Sequence, residues 1–268
     1  PSFRDNLSII GKPVPKIDGK ALVSGEKLFV EDRVEPSSHI LYVLRSPFAH
    51  AYVRKIDISK ALEVDGVDDI ITAFNCPDVY YMQAGQGNPE PSPYDRRLLN
   101  RKVRHVGDRV AAIIARDKES AEKAAALISV TYDPIKPVFT VEEAMAEGAP
   151  LVHNGIAEYV SGAPEDLDEY NRSADRDEEK VIYQFPLHGD IRHNIAAGAH
   201  GGIGDIEKGF QEADAVIDST YQTSQPQCTP LEPHVCYGRI EGGRLVLNCS
   251  TQVPYHVRRI VARVCQIP

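Results

Sequence analysis

Apolar residues enter this chain in short compact runs, separated by charged or turn-forming segments, and the spacing of those runs predicts strands and short helices in alternation. Residues 40–44 (ILYVL) form one such run, closed by Arg45 and Pro47, and predict a buried strand that a proline then stops. Ser59 is placed to cap a helix over residues 60–64, Gly66 ends it, and residues 69–73 (DIITA) return as a strand. The rhythm then repeats. Residues 110–115 (VAAIIA) read as a strand, Asp117 caps an alanine-rich helix over 118–127, and residues 128–132 follow as a strand. Two β-α-β-like units of this kind predict one α/β domain. Between them, residues 75–100 are rich in Pro, Gly, Asn and Tyr, and read as a long loop that is either functional or a surface excursion.

The pattern changes beyond residue 137. An acidic stretch over 164–180 (PEDLDEYNRSADRDEEK) lies between short apolar patches and reads as a solvated connector, so a domain boundary is placed in this region. Strong local signals return near residue 205. Asp205 caps a helix over 206–213, with Ile206 and Phe210 four apart on one face, and residues 215–221 read as a strand. Residues 234–240 and 244–250 flank Glu241, Gly242 and Gly243, which predicts a β-hairpin whose glycines supply positive φ. Residues 253–264 then carry an apolar stripe of Val257, Ile260, Val261 and Val264 opposite Arg258, Arg259 and Arg263, the signature of an amphipathic helix. That stripe needs a surface to cover, and the last 70 residues or so read as a domain cut short.

Composition narrows the classes of partner. The chain has 268 residues, 42% of them hydrophobic, enough for one large or two medium globular domains. Its formal charge of −9 and pI near 5.5 argue against a nucleic-acid or anionic-membrane surface, either of which needs clustered Lys and Arg. No apolar run approaches the roughly 20 residues of a membrane span, and the start (PSFRDNLSII) lacks the regions of a signal peptide, so a cytoplasmic location is expected.

Five cysteines without a C-x-x-C pair indicate neither a disulfide framework nor a zinc ribbon, and they are expected to be reduced thiols. Cys228 and Cys236 bracket Glu232 and His234, but the segment reads as a loop entering a strand, and no metal site is assigned there. P-loop, zinc-protease and serine-hydrolase motifs are missing. The glycine cluster at 198–204 (GAHGGIG) precedes a helix but lacks the buried strand that a dinucleotide fingerprint requires; the nine histidines are scattered, and His188 with His193 or His200 shows no helix-face spacing.

Six segments in order carry a resemblance. They are GKPVPKIDGKALVSGEKLF at 11–29, LRSPFAHAYV at 44–53, VRHVGDRVAAIIARDKESAEKAAALISVTYD at 103–133, GDIEKGFQEADAVIDSTYQT at 204–223, LEPHV at 231–235 and STQVPYHVRRIVARV at 250–264. Together they are similar to the molybdenum hydroxylase (xanthine oxidase) family, and to the N-terminal part of the molybdenum-binding subunit of bacterial xanthine dehydrogenase. The resemblance implies an α+β fold class: an α/β hammerhead domain at 18–136, preceded by an N-terminal arm at 1–17, joined through an extended acidic linker at 137–199 to the incomplete first part of a molybdopterin-binding domain at 200–268.

It further implies hydroxylation of purines, xanthine and hypoxanthine to urate, with water as oxygen source. The implied partners are the remainder of the molybdenum subunit and iron–sulfur and FAD subunits or domains. The family's glycine-rich pterin loop and its glutamate base match nothing in this chain. No catalytic residue and no metal ligand is therefore assigned within it, and the chain alone is expected to be inactive and to hold no molybdopterin.

One cofactor contact does have a counterpart. The family's glutamine, whose amide donates towards an oxygen ligand of molybdenum, corresponds to Gln252. The alternative is that Gln252 caps the helix starting at Val253, a task glutamine performs poorly. There is also a departure: many relatives place His four residues before the Glu of the L-E-P segment, and here Cys228 stands at that position, with Gln227 beside it. The Glu232-x-His234 pattern is more similar to the purine-hydroxylating bacterial branch than to aldehyde-type members. A non-catalytic subunit-docking module, and a hydroxylase of another N-heterocycle or an aldehyde, stand as the alternatives.

Overall fold

In the computed structural model the described residues are 7–83, 92–153 and 187–268, with 157–159 and 181–183 described by backbone alone. They fall into two compact units, one drawn from residues 1–38 and 220–252, the other from 39–219 and 253–268. Among the described residues no helix is long and apolar enough to cross a membrane.

The larger unit is built on two antiparallel three-stranded sheets. Strands β1 (Ile40–Arg45), β5 (Arg109–Ala115) and β3 (Val67–Thr72) form one, in the order β1-β5-β3; β4 (Lys102–Val103), β2 (Ala51–Asp57) and β6 (Ser129–Pro134) form the other, in the order β4-β2-β6. After a short first helix, α1 (Gly19–Ser24), helices α2 (Ser59–Leu62) and α3 (Lys118–Leu127) follow, and these two cover the first sheet. Strand β5 is the element that both layers share. Ala111, Ile113 and Ala115 pack with Ile70, Ala61, Ala121 and Ala124 on the helical side, all fully buried. Val110, pointing the other way, packs with Ala51, Val53 and Val103 of the second sheet. A strand buried on both faces needs apolar residues throughout, which is why this segment reads VAAIIA without alternation. The buried alanines of α2 and α3 let those helices lie close on the sheet.

The β-α-β expectation is corrected by this topology. Each strand–helix–strand passage leaves one sheet and enters the other, β2–α2–β3 outward and β5–α3–β6 back, so the helices join sheets and the paired strands are antiparallel. Strand β2 was not expected from the pattern, because a register shift between Val53 and Lys55 breaks its alternation after Ala51 and Val53.

Caps are local and fall largely where the spacing puts them. Asp117 accepts a hydrogen bond from Ser120 N at 2.8 Å at the start of α3. Ser59 is not a cap: it is the first helical residue, and the Asp57 carboxylate accepts from both its backbone N (3.0 Å) and its Oγ (2.7 Å). The described part of the 75–100 segment is also not a surface excursion. Tyr80, Met82 and Tyr94 bury together, Tyr81 and Arg96 pair through their backbones, and Arg97, 4% exposed, lies over the Tyr80 ring and 2.8 Å from Asp78.

Further along, α4 (Val141–Met145) is capped by Thr140, and the backbones of β7 (Ala157–Tyr159) and β8 (Val181–Tyr183) pair in parallel. The acidic stretch 164–180 lies outside the described residues. Helix α5 (Ile206–Glu212) is capped by Asp205, which accepts from Lys208 N at 3.0 Å. The strand expected over 215–221 does not form. Val216, Ile217 and Tyr221 are exposed, and no described strand pairs with them, which a β-segment needs to satisfy its backbone.

Candidate functional site

Gln252 sits at the end of a hairpin whose geometry follows from its turn. Strands β9 (Cys236–Glu241) and β10 (Arg244–Cys249) pair in register from Glu241↔Arg244 to Cys236↔Cys249, leaving a two-residue loop of Gly242 (φ 57°) and Gly243 (φ 77°). Two consecutive positive φ values are the backbone of a type I′ turn, which matches the twist of the flanking strands. One face carries Arg239 and Tyr237, with Arg239 bonded to Glu241 at 3.0 Å, and Tyr237 is buried. The other carries Ile240, Leu245, Leu247, Cys236 and Cys249, as strand alternation requires.

The hairpin's open end is tied down just ahead of Gln252. Ser250 N donates to Val235 O at 3.1 Å, and Val235 N donates to Ser250 Oγ at 3.1 Å. Gln252 follows in an exposed bend. The helix after it, α6 (Pro254–Cys265), has Pro254 in its first turn, where the missing N–H costs nothing, and Val253 as N-cap without a side-chain cap hydrogen bond. Gln252 therefore does not cap the helix.

The other residues singled out along the sequence are placed as follows. Glu232 Oε1 accepts from Val30 N at 3.2 Å and so fastens its own loop, while His234 and Cys228 are exposed. The carboxylate of Asp205 occupies the helix N-terminus that follows the 198–204 glycines, the place an anion would take. Arg263 does not lie on a solvated face as the helix stripe implied. Its guanidinium is 5.4 Å from the Tyr94 ring, and His256 and Val264 are buried on the same helix.

A second concentration of titratable groups was not singled out by the sequence pattern. Lys102, 2% exposed, donates through Nζ to Leu151 O at 2.8 Å, and Arg104 Nε donates to Val152 O at 2.9 Å. Asn194 braces the same segment by donating to Ala144 O and Pro150 O and accepting from Val152 N. Held among these groups, His153 has its pKa pushed down to about 3, first by burial and then by Arg104, Arg96 and Lys102, so the 3.8 Å approach of Asp95 is not an ion pair at neutral pH. The carbonyl contacts could not be read from sequence, because they join positions some 50 residues apart.

Against known proteins, residues 24–136 match the model of the aldehyde oxidase and xanthine dehydrogenase a/b hammerhead domain, and residues 187–268 match that of the molybdopterin cofactor-binding domain. The chain belongs to the xanthine dehydrogenase and aldehyde oxidase family of molybdenum hydroxylases, as a hammerhead domain followed by the start of a molybdopterin-binding domain. It is 49% identical, over 264 residues, to the probable hypoxanthine oxidase XdhD of Escherichia coli (strain K12), a match covering 98% of this chain and 28% of that protein. To the xanthine dehydrogenase molybdenum-binding subunit of Escherichia coli O157:H7 it is 29% identical, covering 94% of this chain and 29% of that one. The fold is similar to that of quinoline 2-oxidoreductase from Pseudomonas putida 86, with a TM-score of 0.68 at 22% identity over 95% of this chain and 28% of that chain. The chain thus spans less than a third of the length of these relatives.

Proposed function

We propose that this chain forms the N-terminal part of the molybdenum-binding subunit of a purine-hydroxylating enzyme, acting on hypoxanthine or xanthine with water as oxygen source. The observation that carries this reading is the 49% identity, sustained over 264 residues, to a probable hypoxanthine oxidase. Within the subunit, residues 1–17 serve as an arm, 18–136 as the hammerhead, 137–199 as an acidic connector and 200–268 as the opening of the cofactor domain. Iron–sulfur and FAD subunits or domains complete the electron path.

The residues present fit a molybdopterin centre in one respect that can be tested on the geometry. Gln252 is exposed in a bend, is not required to close α6, and follows a strand end fixed by the paired Ser250–Val235 hydrogen bonds. A rigid strand end followed by an exposed neutral amide suits a group that must donate to a ligand without adding charge to a redox centre. Molybdopterin, bound in the complete subunit, supplies the two-electron redox chemistry. This chain's part is to position the Gln252 amide as a hydrogen-bond donor, with the hammerhead domain as scaffold.

The test is turnover of the complete subunit, assembled with its iron–sulfur and flavin partners, on hypoxanthine, xanthine, nicotinate and benzaldehyde. Purine oxidation in excess of the other two substrates is expected. Oxidation of nicotinate or benzaldehyde without purine turnover overturns the substrate assignment.

A further inference from the structure

Cys236 and Cys249 stand directly opposite one another at the open end of the β9–β10 hairpin. Two independent observations make this a non-hydrogen-bonded pair. Counting from the two-residue turn, narrow and wide pairs alternate, which makes 241/244, 239/246 and 237/248 the hydrogen-bonded pairs and leaves 236/249 between bonds. The next pair out, Val235 and Ser250, is bonded from Ser250 N to Val235 O at 3.1 Å, as the same alternation demands. In pairs of the 236/249 kind the Cα atoms lie about 4.5 Å apart and the side chains lean together on one face. A disulfide accepts Cα separations from about 4.4 Å to 6.8 Å. The Cys249 sulfur is near enough to raise the pKa of the Cys236 thiol, both cysteines are free, and Cys236 is exposed while Cys249 is part-exposed. Cys76, Cys228 and Cys265 lie outside the described strands.

We infer that Cys236 and Cys249 are a reversible oxidation site, closing to a cross-strand disulfide when a hydroperoxide reaches the hairpin and reopening with a dithiol reductant. In the first step the thiolate of one cysteine attacks a peroxide oxygen; the S–O bond forms, the O–O bond breaks, hydroxide leaves, and a sulfenic acid results. In the second step the neighbouring sulfur attacks the sulfenic sulfur; the S–S bond forms, the S–O bond breaks, and water leaves. Two electrons pass from the sulfurs to the peroxide and two thiol protons end in water. The product clamps the strands together three residues ahead of Gln252. Although the residue as a whole is exposed, desolvation at its sulfur and then the adjacent Cys249 push the Cys236 thiol up, so the attacking thiolate is scarcer at neutral pH than on an ordinary cysteine and the first step quickens as pH rises. The inference rests on the hairpin register and is independent of the proposed substrate.

The experiment uses the full chain, reduced, desalted and treated with one equivalent of hydrogen peroxide. Thiols are counted under denaturing conditions and linked peptides identified by mass spectrometry without reduction. The expected result is a count that falls by two from the five cysteines of the chain, a 236–249 linkage, and recovery of all five on adding dithiothreitol. The linkage should persist in Cys228→Ser, which removes the cysteine nearest to Cys236 in sequence, and vanish in Cys249→Ser. A wild-type chain that keeps all five thiols, or whose linkage joins other cysteines, overturns the inference. The wild-type peptide map decides the matter even if a variant fails to fold.

Discussion

At the scale of single residues, two side chains carry separate expectations. If Gln252 has the proposed role in a complete subunit, Gln252→Ala removes one neutral donor, and leaving its partner unsatisfied costs about 1–3 kcal/mol. Turnover should then fall roughly ten- to a hundredfold with molybdenum still bound, since each 1.4 kcal/mol or so is a factor of ten. Unchanged turnover in the presence of full metal content would count against the role. His153 gives a stability expectation. Its pKa of about 3 in the folded chain lies below the ordinary 6.5, so at pH 7 it is neutral when folded and mostly neutral when unfolded, and contributes little pH dependence there. As pH falls below 6.5 the unfolded chain takes up the proton first, and stability is lost down to about pH 3. The groups around it are Asp95, Arg96, Lys102 and Arg104. His153→Gln removes the titration, so urea midpoints at pH 7 and pH 4.5 should show the wild type losing roughly 1–2 kcal/mol more than the variant, the discount reflecting a side chain 26% exposed.

At the scale of elements, two exposed glycines should respond to the same substitution with opposite signs. Gly209 lies inside α5 and Gly243 in the hairpin turn at φ 77°, and a Cβ at either would meet nothing within 4 Å, so only the backbone distinguishes them. Gly209→Ala should stabilise by up to about 1 kcal/mol by restricting the unfolded chain and favouring helix. Gly243→Ala should cost about 1–2 kcal/mol, because an L-residue is strained at positive φ. Thermal unfolding of both variants checks the pair. The same contrast explains what the sequence made legible. Asp117, Asp205 and the glycine turn act over three residues or fewer, so their roles are written locally. Strand β2 was hidden by one bulge, and the antiparallel pairing by the fact that α2 and α3 connect different sheets, which no local pattern records. Gln252 was reached through resemblance, and the chain's own contribution was to show it exposed and not serving as a cap.

At the scale of the molecule, the cores meet on β5, and Ile113 is its most consequential side chain, fully buried and paired with Tyr42 on one side and Ile70 on the other. Ile113→Ala should cost about 2–5 kcal/mol, measured by urea denaturation, with the upper part of that range expected because strands on both sides hold the cavity open. The legible part of the whole was the order of domains, because each brings its own run of signals; how the sheets stack was not, because it depends on residues far apart in the chain. That distance has a consequence for synthesis. Among the described residues β1 pairs with β5 alone, and β2 with β4 and β6, all encoded later, so β1 leaves the ribosome roughly seventy residues before that partner exists. At about 5–20 residues per second, a nascent chain carries the apolar run 40–44 without a partner for some 4–15 seconds. The helices that could shield it are themselves short and depend on the absent strand. The run 40–44 is therefore a segment that a ribosome-associated chaperone is expected to shield during synthesis.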